Sequence, residues 1–153
     1  MIIDQKLLDD LSAQAKANPR LRQSYDLCTE ATEACPEPCR RDNSQRMLNA
    51  LEPGTIMPIH RHRNSSETMV MVRGKLIERF YDDDGNITDE FVMAPLSIPS
   101  LHFAPEGESN EQTIPMGQIE AGRWHSLEVL KVGTVIFEAK DDAYEPLNMN
   151  DLK

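Results

Sequence analysis

Positive charge is in short supply in this 153-residue chain: 16 Lys and Arg stand against 26 Asp and Glu, a formal net charge of -10. Proteins that bind nucleic acid neutralise phosphates with a dense Lys/Arg face, so no nucleic-acid partner is expected. Long apolar runs are also missing. No stretch approaches the ~20 apolar residues of a membrane-spanning helix, and no membrane partner is expected. The opening Met1-Ile2-Ile3-Asp4-Gln5-Lys6 turns charged almost at once, unlike the basic-then-apolar layout of a secretory leader. A cytoplasmic protein is the resulting expectation. The three cysteines, Cys28, Cys35 and Cys39, are an odd count at spacings of seven and four, which is not the even framework of a secreted disulfide scaffold. Three thiols without a fourth nearby ligand also make a poor structural zinc site. A reversible disulfide between two of them is a hypothesis that thiol titration with and without reductant tests, and three free thiols throughout would sink it.

What is present is an ordinary globular composition, 39% hydrophobic and 27% charged, at a length that normally makes one compact domain. Asp4 is placed to cap a helix in which Leu7, Leu8 and Leu11 recur at helical spacing, and Asn18-Pro19 supplies a stop, so a helix is expected over about 4–16. Residues 19–45, which include Cys35-Pro36-Glu37-Pro38-Cys39, read as loop or covering arm. From Met47 onward, short apolar-rich runs are separated by Gly, Pro, Asn and Asp, the pattern of an all-β sandwich or barrel. Strands are expected over Glu67 to Arg73, Leu76 to Tyr81, Ile87 to Met93, Gln118 to Glu120, Trp124 to Leu130 and Thr134 to Ala139, with Asp84-Gly85 as a hairpin turn. The division expected is 1–46, an N-terminal helix and arm, and 47–153, a barrel, within one compact domain.

His60 and His62 lie two apart, so in a strand they would share a face while Arg61 points the other way. Imidazole nitrogens suit Zn, Fe, Ni, Mn or Cu, and Glu67, after the polar turn Arg63-Asn64-Ser65-Ser66, is placed to add an oxygen. A fourth ligand has to come from elsewhere; His125, after Gly122-Arg123-Trp124, is the candidate, and His102 reads as a loop residue. The pair alone reads first as two surface histidines on an edge strand.

The whole string Gly54-x5-His60-x-His62-x4-Glu67-x6-Gly74 resembles the first motif of the cupin superfamily, with every position filled. Glu120-Ala121-Gly122-Arg123-Trp124-His125 is similar to the second motif in part: Glu120 replaces the usual proline, and Ile114 and Val129 replace its glycine and asparagine. A broader resemblance spans the opening Ile-Ile-Asp helix, Asn18-Pro19-Arg20-Leu21-Arg22, Gln45 to Thr55, and Phe137-Glu138-Ala139-Lys140. These segments resemble the WbuC family of small cupin-fold metalloproteins, whose name comes from members encoded among bacterial O-antigen genes.

That resemblance implies a double-stranded β-helix, a jelly-roll barrel over residues 47–140, in which His60, His62, Glu67 and His125 hold one divalent transition metal ion (Fe, Mn, Ni or Zn). It implies a small-molecule ligand or substrate, anionic or sugar-like, a link to surface-polysaccharide metabolism, and a homodimer. It leaves open whether the protein is an isomerase or epimerase, an oxygenase, a lyase, or a non-catalytic ligand-binding or sensing module with a structural metal.

Other chemistry-bearing residues have plainer readings. Glu128 and Glu138 sit on late strands where either could act as a general base in the barrel, but alternation from His125 puts Leu127 inside and Glu128 outside. Arg73, Arg79 and Arg123 read as solvated or paired with nearby acids. Met57, Met69 and Met71 read as barrel filling, and Tyr81, Tyr144 and Trp124 as packing or pocket lining.

Overall fold

The Asp4 carboxylate accepts a hydrogen bond from the Leu7 N–H at 2.9 Å and starts α1 (Gln5–Ala17), whose buried Leu8, Leu11 and Ala15 recur on one face. This computed structural model describes residues 2–27, 44–96, 113–141 and 147–153. The described strands are β1 (Arg22–Asp26), β2 (Ser44–Leu51), β3 (Glu67–Arg73), β4 (Leu76–Tyr81), β5 (Ile87–Met93), β6 (Met116–Ile119), β7 (Trp124–Val129) and β8 (Thr134–Asp141). Among the described residues they form two antiparallel sheets, ordered β1-β2-β8-β3-β6 and β5-β4-β7. This is the expected cupin-type jelly roll with a short N-terminal helix.

Alternation divides the larger sheet between two cores. Leu48, Ala50 and Val135 cluster with Leu8, Leu11 and Ala15 of α1, which therefore covers the outer face of β2 and β8. The Arg73 guanidinium fastens that helix by bonding Asp9, the Leu8 carbonyl and Ser12 Oγ. Leu51, Met69, Met71, Leu76, Met93, Val129 and Ile136 form the second core, between the sheets. Met69 and Met71 are thus barrel filling, as expected.

The β3–β4 turn explains why Gly74 ends its motif. Its φ is +90°, and an added Cβ would stand 2.2 Å from Thr134 Oγ1 and 2.6 Å from Thr134 Cα, so backbone conformation and space both require glycine. Turn chemistry of this kind sets the bounds of β3, β4 and β5, which match the expected ranges.

The reading of 19–45 as loop or arm needs correction. Arg22–Asp26 is a strand, paired residue for residue with β2 from Arg22↔Leu51 to Asp26↔Met47. Its polar sequence carries no readable period; pairing with β2 and contact with α1 create it. β6 also begins at Met116 rather than Gln118, because its register follows β3. Cys28, Cys35, Cys39, His102 and Tyr144 lie outside the described residues. Among the described residues, no helix is long and apolar enough to cross a membrane.

Candidate metal centre

His60 is not in a regular strand, as the two-residue spacing had suggested, but in an isolated bridge between two partners. Its N–H donates to the His125 carbonyl at 3.0 Å, and the His125 N–H returns a bond to the His60 carbonyl at 2.9 Å. The Gly122 N–H donates to the His62 carbonyl at 2.7 Å from a turn in which Gly122 has φ +80°. That left-handed turn favours glycine and gives the Gly122-x-x-His125 spacing its physical meaning: it stitches the second motif to the first. On the other side, the His60 segment bridges Leu152, and Asp151 binds Arg61 at 3.1 Å and Arg63 at 2.5 Å.

These backbone clamps bring the three imidazoles together. Ring centroids lie 4.2 Å apart for His60 and His125, 5.2 Å for His60 and His62, and 5.9 Å for His62 and His125. One ligand nitrogen from each can be chosen so that all lie within 4.8 Å of one another. His60 Nδ1 stands 3.0 Å from the Pro58 carbonyl and His125 Nδ1 3.1 Å from the Arg123 carbonyl. A carbonyl only accepts, so both Nδ1 atoms carry the hydrogen and both Nε2 lone pairs remain available. Burial pushes the His60 imidazolium down to about 3, helped by the charge of His125. Burial likewise lowers His125. Both rings are neutral near pH 7, the form that binds metal.

The group of ligand atoms that close on one another is the three histidines; Glu67, the fourth expected ligand, stands beside it in contact with His62. Its Oε2 lies 3.3 Å from His62 Nε2 and 3.2 Å from Lys140 Nζ, yet makes no aligned hydrogen bond. Burial alone would raise the carboxyl, but the His62 contact and the charges of Lys140 and the histidines outweigh it and hold Glu67 ionised, down to about 2. Buried neutral imidazoles with fixed tautomers, beside an ionised carboxylate whose oxygen lacks a hydrogen bond, fit a divalent transition ion. The cluster opens onto a cavity of about 1330 Å³ that runs between the sheets.

The family model for "Domain of unknown function (DUF6016)" matches residues 3–93. The chain belongs to this family. No curated protein matches it in sequence. Among solved structures, KdgF from Halomonas sp. is similar with a TM-score of 0.54 and 8% identity, over 83% of this chain and 84% of that one. A mutant of Bacillus subtilis oxalate decarboxylase OxdC gives 0.54 and 16%, over 85% of this chain and 27% of that one. The capsular polysaccharide assembling protein CapF from Staphylococcus aureus gives 0.51 and 21%, over 73% and 28%. The chain thus spans about a quarter of the OxdC and CapF structures. These likenesses place this DUF6016 member in the cupin fold.

Three further residues line the DUF6016 cavity: Lys140 and Glu78, which the sequence reading did not single out, and Glu138, which it weighed as a general base. Lys140 sits opposite Glu67 in the β3–β8 register, with Nζ 3.1 Å from His62 Nε2. Glu138 and Glu78 line the same cavity and are both buried. Burial and then the Glu67 charge raise the Glu138 carboxyl to about 8 and that of Glu78 well above the ordinary value. The signal was there: inward Leu76 and Ile136 put Glu78 and Glu138, two residues on, inside as well.

Met57 excepted, the residues read as surface or packing groups behave so. Glu128 is exposed and paired with Arg79 at 2.7 Å, Arg79 also binds Glu90, and Arg123 binds Asp89 at 2.8 Å. Met57 departs from its reading as barrel filling: it is half-buried, lines the cavity and accepts from the Arg22 guanidinium at 3.4 Å. Tyr81 bonds Ser126 at 2.8 Å, and Trp124 donates to Asp83 while Arg61 and Lys153 lie over its ring.

Proposed function

We propose that this cupin holds one divalent transition metal ion through His60, His62, Glu67 and His125. The observation that carries the reading is the backbone-fixed tautomer of His60 and His125, which leaves two buried Nε2 lone pairs beside His62. A bound ion there supplies Lewis-acid or redox chemistry to an oxygen-bearing ligand. This chain's own residues do the rest: the histidines and Glu67 hold the ion, and Lys140 balances the Glu67 charge. With Glu78 and Glu138 kept uncharged by burial, Arg22 and the ion leave the cavity positive. An anionic, oxygen-rich small molecule is the ligand this favours, and the resemblance to the WbuC family points to an enzyme of sugar-type substrates in surface-polysaccharide metabolism. The resemblance to cupins supports a homodimer, for which a light-scattering mass near that of one chain would be the contrary result, and three reduced cysteines fit a cytoplasmic location.

Elemental analysis of wild type beside His125→Ala tests the centre. About one equivalent of metal in the first and far less in the second is expected; equal content overturns the assignment. Manganese is the first ion to supply, since the oxalate decarboxylase neighbour is described with Mn(II) centres.

Lys140 favours a second reading, a non-catalytic ligand-binding or sensing module with a structural metal. Its ammonium contacts both Glu67 and His62, so the Glu67 charge is balanced without any reacting group. Ligand-induced stabilisation without turnover supports that reading, and turnover excludes it.

A further inference from the structure

Strand register sorts the barrel interior by depth. At the histidine level β3 and β8 present Glu67 opposite Lys140, and β7 presents His125. One alternation deeper, Met69 stands opposite Glu138 and Leu127 opposite Glu78. Deeper again, Met71 stands opposite Ile136 and Val129 opposite Leu76, which are core residues. Two carboxyl groups, one from each sheet, therefore lie between the histidine cluster and the apolar plug, and both line the cavity.

Glu78 is 2% exposed, and its Oε1 has no hydrogen-bond partner among the described residues. Apolar Met69, Ile119 and Leu127 line the same cavity. A buried polar atom left unbonded weakens a fold, and a methionine of similar volume would serve packing better. Glu138 is differently placed: Asn49 hydrogen-bonds it, and the Asn49 side-chain oxygen accepts from Ser24 Oγ, which aims the carboxyl from the neighbouring strands. A carboxyl kept protonated by burial both donates and accepts, as an alcohol does.

We propose that Glu78 and Glu138 form a hydroxyl-recognising floor beneath the histidine cluster, selecting a small polyhydroxylated oxyanion over an anion of equal length without hydroxyl groups. The oxyanion half rests on the proposed function, through the metal and Arg22. The hydroxyl half stands on the carboxyl pair alone. A site built to bond hydroxyl groups rejects the analogue lacking them, because its own buried polar atoms are then left unpaired.

The test is calorimetric titration of the full chain, metal-free and Mn(II)-loaded, with D-gluconate and with hexanoate as the unhydroxylated six-carbon monoanion. Wild type is expected to bind gluconate at least ~10-fold more tightly than hexanoate. Glu78→Met and Glu138→Met should bring that ratio towards one with hexanoate affinity kept within about twofold, and Glu78→Met should melt several degrees higher. A wild-type ratio near one, no binding of either probe at millimolar concentration, or a ratio unchanged in both variants overturns the floor. A lower melting temperature for Glu78→Met overturns it too, by making Glu78 structural. Failure of the metal reading shows separately, as equal metal content in wild type and His125→Ala. The gluconate ratio of the metal-free protein then still judges the floor.

Discussion

The two ends of the barrel are built on the same strands with opposite chemistry. On β8, Ile136 and Glu138 share the inward face; on β4, Leu76 and Glu78 do; on β3, Met71 and Glu67 do. At one end these rows interdigitate as core with Val129 and Leu51. At the other, within two alternations, they present three carboxyls, an ammonium and the histidines to a cavity. Apolar burial stabilises and buried unpaired charge does not, so the closed end carries the fold and the open end draws on that stability to hold a site.

The largest effect should come from breaking the closed end. Leu76 is fully buried, and Leu76→Ala is expected to cost ~2–5 kcal/mol, read as a fall of roughly 10 °C in melting temperature. At the open end, stability should depend on what is bound. Mn(II) or Zn(II) at about 100 times its Kd should stabilise wild type by ~2.7 kcal/mol, and differential scanning calorimetry should find that gain abolished in His125→Ala.

Next in size is a pH dependence of opposite origin at neighbouring depths. His60, held down at about 3, makes stability fall as pH drops below ~6.5, where the unfolded ring takes a proton that the folded one refuses. Glu138, held up at about 8, does the reverse: above ~4.5 the unfolded carboxyl has lost a proton that the folded one keeps, so stability falls as pH rises towards 8. From about pH 6.5 to 8 the His60 effect has ended and, among the shifted groups of the described residues, the buried carboxyls dominate. Urea unfolding across that window should show a loss on the order of 2 kcal/mol in wild type and a flatter profile in Glu138→Gln. The smallest effect should be at the surface, where Arg79→Ala removes pairs with Glu90 and Glu128. Its expected cost is under ~1 kcal/mol, with metal content by elemental analysis unchanged.

The same contrast explains what was legible in the sequence. β3, β4 and β5 were readable to the residue because each is bounded by turn chemistry, Gly74 and Asp84-Gly85 among it. The histidines and Glu67 were readable as a spaced motif, although their strand placement was not, since His60 is held by backbone bonds to His125 and by the Leu152 bridge rather than by local pattern. β1 was illegible because Arg-Gln-Ser-Tyr-Asp has no apolar period and depends on a distant partner. Glu78 and Glu138 looked like ordinary strand-borne acids unless alternation from Leu76 and Ile136 was followed inward. Nothing local announces that Asp151 returns to Arg61 and Arg63.

The reciprocal backbone bonds between His60 and His125 join residues far apart in the chain, with β3, β4, β5 and β6 between them. Closing so large a loop is entropically slow and comes only after nearer pairings have formed. His125 is therefore expected to join His60 and His62 late in folding, so that an ion would find the three together only in the folded barrel. An ion that entered a finished pocket would leave refolding rates indifferent to added metal while slowing unfolding, which stopped-flow measurements with and without Mn(II) check.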